Sequence, residues 1–188
     1  MNNKISYTCP AGLDSLLKVL TNLELLLRLN IQWHLKEHNF PKAIQSNGTY
    51  TCILHHEGLS KDILYKVKVE YRSNPTVIDL SFDGELPQQV CFTIREDNGK
   101  TLLDMVVKKE SLSHEEQMEL NLWIKSIINY AMITESKSPL TKVWKFLLDR
   151  FYLRLSPTGR RVVFLVVVSE IFALFFFILL VIYFLYLK

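Results

Sequence analysis

Hydrophobic and polar residues change period along this chain, and each change marks a boundary. Ile5–Cys9 reads as a short strand. From Leu13 to Leu29 the apolar residues recur at helical spacing, and polar Thr21-Asn22 breaks the run into two short helices. Alternation then takes over. Ile31, Trp33 and Leu35 alternate with Gln32, His34 and Lys36, and Asn47-Gly48 predicts a hairpin turn before Thr49–His56. The clearest strand is Leu64–Arg72, with Tyr65, Val67, Val69 and Tyr71 on one face and Lys66, Lys68, Glu70 and Arg72 on the other. Ile78, Leu80 and Phe82 repeat the pattern, as do Val90, Phe92 and Ile94. A turn at Asp97-Asn98-Gly99 leads into a last strand, Lys100–Lys109. Ser113 and Glu116 then form a capping box. The helix behind it carries Leu120, Trp123, Ile124, Ile127, Ile128 and Ala131 on one broad face, ending near Ile133 before a polar linker, Thr134–Ser138.

The last quarter differs in kind. In Pro139–Leu155 the residues Leu140, Val143, Trp144, Leu147, Phe151 and Leu155 form an apolar stripe at spacings of three and four. Lys142, Lys145, Asp149 and Arg154 lie mostly off it. Such a basic amphipathic helix suits an anionic bilayer surface, the alternative being a helix packed on the preceding domain. Ser156-Pro157-Thr158-Gly159 then breaks this helix and starts the span. Val162–Leu187 follows with Ser169 and Glu170 as its only strongly polar residues. A hydrocarbon core needs about 20 helical residues, which the stretch from Val168 supplies by itself and which leaves Glu170 at its edge. Lys142, Lys145, Arg150, Arg154, Arg160 and Arg161 precede the span and Lys188 alone follows it, so the positive-inside rule predicts a single-pass, tail-anchored membrane protein with a cytosolic N-terminal domain. Asn47-Gly48-Thr49, formally a glycosylation sequon, would then stay unmodified.

Composition narrows the choice of chemistry. The net charge of +3 over 188 residues is uneven. Residues 1–136 hold 14 Lys and Arg against 17 Asp and Glu, whereas residues 137–161 hold seven bases and one acid, Asp149. The basic balance therefore points to a membrane and to no nucleic acid. Three scattered cysteines, Cys9, Cys52 and Cys91, read as reduced, mostly buried thiols. No phosphate-binding loop, dinucleotide fingerprint, GxSxG or HExxH is present, so no catalytic residue, metal or cofactor is assigned. His55-His56-Glu57 is the one tight group of ligand types, but adjacent strand residues face opposite ways. His34 and His38, two strand repeats apart, are expected on one face. Asp79, Asp83 and Asp104 read as exposed carboxylates.

A strand, two small helices, six antiparallel strands and a long helix resemble the START-like, or SRPBCC, superfamily. The likeness rests on Leu13–Leu29, the strand series Ile31–Lys109 and the Ser113–Ile133 helix. Within the series, Val77–Gly84, Val90–Ile94 and Lys100–Asp104 look most like the family's later strands. It implies an α+β helix-grip fold, a curved antiparallel sheet wrapped on a long C-terminal helix, here followed by an amphipathic helix and one transmembrane helix. The chain divides on this reading into a ligand-binding domain (1–136), a basic juxtamembrane segment (137–161) and the span (162–187). The resemblance further implies an apolar cavity between sheet and helix, lined by Trp33, Tyr65, Val67, Val69, Tyr71, Phe92, Ile94, Trp123, Ile127 and Tyr130. The alternative is that these side chains simply fill the space. Three functions remain open: a tethered binder of a lipid or other hydrophobic small molecule, an interaction protein docking a membrane-protein partner, and a cyclase- or hydrolase-type enzyme. The third needs a buried acid–base pair, which the sequence does not reveal.

Overall fold

Period-two alternation becomes a seven-stranded antiparallel sheet in the computed structural model, which describes residues 2–57, 61–73, 76–83, 89–97, 99–109 and 111–186. The elements are β1 (Asn2–Cys9), α1 (Leu13–Thr21), α2 (Leu23–Arg28), β2 (Trp33–His38), β3 (Gly48–His56), β4 (Lys61–Ser73), β5 (Thr76–Phe82), β6 (Gln89–Asp97), β7 (Lys100–Lys108), α3 (His114–Glu135), α4 (Pro139–Arg150) and α5 (Pro157–Tyr186). The strand order is β1-β7-β6-β5-β4-β3-β2. β1, first in sequence, closes one edge against β7, pairing Ile5 with Met105. β2 forms the other edge.

One face of the sheet is dry because the alternation stays in phase. Tyr65, Val67, Val69, Ile78, Leu80, Phe82, Val90, Phe92, Ile94, Leu103, Met105 and Val107 are all buried, while Lys66, Lys68 and Arg72 between them are exposed. α3 supplies the other half of the core. Its apolar face from Leu120 to Ala131 is buried, and it starts at the expected capping box, Ser113 Oγ accepting from the Glu116 N–H while Glu116 accepts from the Ser113 N–H. The break between α1 and α2 falls at Asn22, whose side chain accepts from the Leu25 N–H and caps α2. Cys9 and Cys52 are buried thiols, and burial pushes Cys52 up to about 12.

Three local expectations are corrected. Asn47-Gly48 makes no tight hairpin: Gly48 already opens β3, and β2 ends at His38. Asn47 instead accepts from the Tyr71 N–H at 2.8 Å, and a Cβ at Gly48 would meet the Tyr50 hydroxyl at 2.6 Å. The glycine is there for that close approach. As expected, the preceding helix has ended before Ser156, and Pro157-Thr158-Gly159 forms the first turn of α5. Proline suits the first helical position, and Ser156 Oγ accepts from the Gly159 N–H. Second, a bulge between Leu35 and Glu37 shifts the register of β2, so His34 pairs with His55 but His38 pairs with the buried Cys52. His34 and His38 therefore do not share a face. Third, Asp104 is buried and bonded to Lys4 at 3.2 Å and Arg95 at 2.5 Å, both brought to it by neighbouring strands. Burial by itself would raise its carboxyl, but Ser6, Lys4 and Arg95 outweigh that and hold it below the usual range. In the turn before β7, Gly99 has a positive φ of 74°, while Asn98 lies outside the described residues, as do Gly84 and Leu187.

The chain forms two units, Met1–Arg154 and Leu155–Lys188, so the first extends beyond residue 136 to include α4 and the short helical turn Tyr152–Arg154. The second is α5, long and apolar enough to cross a membrane by length and composition. Trp123 anchors the first unit. Trp123→Ala should lower its stability by about 3–5 kcal/mol, read by denaturant unfolding of the full chain in detergent. A loss below about 1 kcal/mol would mean that α3 is not gripped as described.

Candidate functional site

Eight of the ten residues expected around a cavity meet inside the domain. Trp33 (β2), Tyr65, Val67 and Val69 (β4), Phe92 and Ile94 (β6), and Trp123 and Ile127 (α3) are no more than 3% exposed. Their rings touch. Trp33 lies 4.9 Å from Trp123 and 5.7 Å from Phe82 between ring centroids, and Phe92 lies 5.4 Å from Trp123. The Trp123 indole N–H donates to the Leu26 carbonyl at 2.8 Å. These side chains pack as a core. Tyr71, near the end of β4, is only partly buried. Tyr130 is buried but turns its hydroxyl toward α4.

A polar group borders this core. Glu119, one helical turn before Trp123, accepts from the fully buried Asn30 side chain at 3.1 Å and lies 3.8 Å from His56 Nε2. Asn30 in turn accepts from the Gln32 N–H at 2.9 Å. Burial raises the Glu119 carboxyl above the usual carboxylate range. Asn30, His56 and the Trp33 indole partly offset that shift, while the charge of Glu116 adds to it. His55 points the other way and bonds Asp62 at 2.7 Å, as the strand period requires. Among the described residues no three His, Cys, Asp or Glu side chains gather as metal ligands. Glu119 and His56 thus form a half-buried carboxylate–imidazole contact that sequence reading missed. The available signal was a glutamate four residues before a core tryptophan on the same helix.

A second site lies on the helical side. A cleft of about 270 Å³ is lined by Asn22, Glu24, Leu25, Arg28, Tyr130, Lys145, Asp149, Leu153 and Arg154. Tyr130 donates to Asp149 Oδ1 at 2.5 Å, while Lys145 Nζ donates to the Tyr130 oxygen at 3.0 Å and to Asp149 Oδ2 at 2.9 Å. Burial and the Asp149 bond push the Tyr130 hydroxyl up. Burial opposes the charge on Lys145, yet Tyr130 and Asp149 prevail and raise it. Arg28 is held by Glu24 at 3.0 Å and donates to the Leu153 carbonyl at 3.4 Å. Lys145, expected to face a bilayer, faces the domain.

No family model matches this sequence, and no curated protein does. Solved structures do. An AHSA1-like protein of Aeromonas hydrophila superposes with a TM-score of 0.54 at 11% identity, over 71% of this chain and 94% of its own. A Thermus thermophilus protein gives 0.54 at 9% identity, over 72% and 100%. The AHSA1 protein of Silicibacter pomeroyi gives 0.50 at 10%, over 72% and 100%. AHSA1-like proteins belong to the SRPBCC superfamily. The fold is the α+β helix-grip fold. At these identities the likeness extends to the fold alone, so what the helix-grip domain does must be argued from its own side chains.

The Glu119 pair carries a pH signature. A carboxyl raised in the folded state favours folding most when protonated, below its ordinary value of 4.5, and that advantage is lost as pH rises through the folded value. Glu119→Gln should therefore gain stability relative to the parent as pH is raised above 4.5 in denaturant titrations. A difference that stays constant with pH would show that Glu119 is not held by burial.

Proposed function

We propose that this protein is a membrane-anchored helix-grip domain, its N-terminal unit on the cytosolic side, that binds an amphiphilic or hydrophobic molecule at the bilayer surface. One observation carries the reading: α4 is inverted for a helix in water. Its polar pair, Lys145 and Asp149, faces the domain, and none of its residues is buried. Leu140, Val143, Trp144, Phe146 and Leu147 are 40–81% exposed, and Phe151 just after the helix is 58% exposed. Lys142 and Arg150 flank this apolar face. An apolar helix face in water is unfavourable by about 25 cal/mol per Å². The same face beneath lipid headgroups is stabilised, with each nearby base adding about 1 kcal/mol at an anionic surface.

α5, the apolar helix, begins at Pro157, seven residues after α4 ends. The bases from Lys137 to Arg161 precede it, which supports the cytosolic placement. Trp144 makes the reading testable, because the other two tryptophans, Trp33 and Trp123, are no more than 1% exposed. With the full chain in vesicles, lipids brominated near the headgroup should quench an emission component that disappears in Trp144→Phe. Trp144 fully open to aqueous iodide would sink the bilayer reading.

The packed aromatic interior favours a second reading, an interaction module that works through its surface and docks a membrane protein. On that reading the α4 face is covered by a protein, and Trp144 is shielded only when the partner is present.

A further inference from the structure

We infer that the cleft between α2, the end of α3 and α4 is a binding site for a phosphate-bearing anion, with Arg154 as its open cation. Its volume of about 270 Å³ lies just below the roughly 300–1,000 Å³ of sites for drug-sized molecules, which suits a small charged group. Its walls carry three cations, Arg28, Lys145 and Arg154, and two carboxylates, Glu24 and Asp149. Arg28 is matched by Glu24, and Lys145 by Asp149. Arg154 makes no side-chain hydrogen bond or ion pair among the described residues. The cleft is thus one positive charge in excess, and that charge is the uncommitted one.

The chemistry of the lining selects the ligand class. A guanidinium offers a planar fork that meets two phosphate oxygens at once, and it stays charged at every physiological pH. Lys145 lines the same cleft as a second donor, kept protonated by Tyr130 and Asp149. Leu25 and Leu153 provide an apolar wall against which the carbon part of an ester can lie. All these residues lie in the first unit, so the site is complete within that unit.

Position supplies the source of the phosphate. Arg154 precedes Pro157 by three residues, about 10 Å of chain at full extension. If α5 crosses a bilayer, this short tether keeps Arg154 within reach of the headgroup phosphates. The inference rests on the membrane-surface reading for this source and not for the chemistry of the site.

The test uses the full chain in a non-ionic detergent. It is titrated calorimetrically with inorganic phosphate, glycerol 3-phosphate and, in the same micelles, dioctanoyl phosphatidic acid. Saturable binding is expected, weakened at least tenfold by Arg154→Ala and by Lys145→Gln. Arg72→Ala, which removes a cation 70% exposed on the far side of the sheet, should leave it unchanged. Binding of phosphatidic acid alone assigns the site to a lipid headgroup, and binding of the soluble phosphates as well assigns it to phosphate esters generally. No saturable binding by any of the three, or an equal loss in Arg72→Ala and Arg154→Ala, overturns the proposal. Lipid quenching of Trp144 fails or succeeds separately, so a cleft that binds phosphate beside an unshielded Trp144 removes the membrane source and leaves the site.

Discussion

The grip of the sheet on Trp123 is the interaction from which the other features follow. Its ring meets Trp33 on the edge strand β2 and Phe92 on β6, and its N–H reaches back to the Leu26 carbonyl on α2. A buried indole without that acceptor would carry an unsatisfied donor at a cost of about 1–3 kcal/mol. The single side chain therefore sets the rotation of α3 and fixes α2 against it. Glu119 follows from that rotation, because it stands one turn before Trp123 and is brought to Asn30 and His56. Tyr130 follows too, two turns later, where α3 meets α4.

α3 and α4 use amphipathicity in opposite senses. α3 buries its apolar face and caps its first turn with Ser113, as a helix on a soluble core does. α4 directs Lys145 and Asp149 inward, where Tyr130 completes a three-membered hydrogen-bonded group, and leaves its aromatics outside. A half-buried ion pair is a weak source of stability by itself. The arrangement makes physical sense when the outer face has a solvent other than water. The cleft beside Tyr130 exists because α4 is held by these polar contacts and not by close apolar packing.

The order of elements, the dry face of each central strand, the capping box and the apolar face of α3 were all legible in the sequence. So was the apolar stretch that becomes α5. The period of β4, from Tyr65 to Arg72, reports its two faces without reference to any partner. The misreadings share a feature. Asn47-Gly48 has the composition of a tight turn, but Gly48 is set by the Tyr50 ring. Asp104 has the spacing of a surface residue, but Lys4 and Arg95 come to it from β1 and β6. His38 changes face through one bulged residue.

Fold class, element order and the apolar C-terminal helix were thus written in local pattern, because periodicity and capping are properties of neighbouring residues within a turn or a strand. Which side chains became sites was settled by long-range packing. Asn30 and Glu119 are 89 residues apart, and Arg28 and Leu153 are 125 apart. Their meeting depends on how the sheet closes around α3 and on which face α4 turns inward, and no local pattern encodes either.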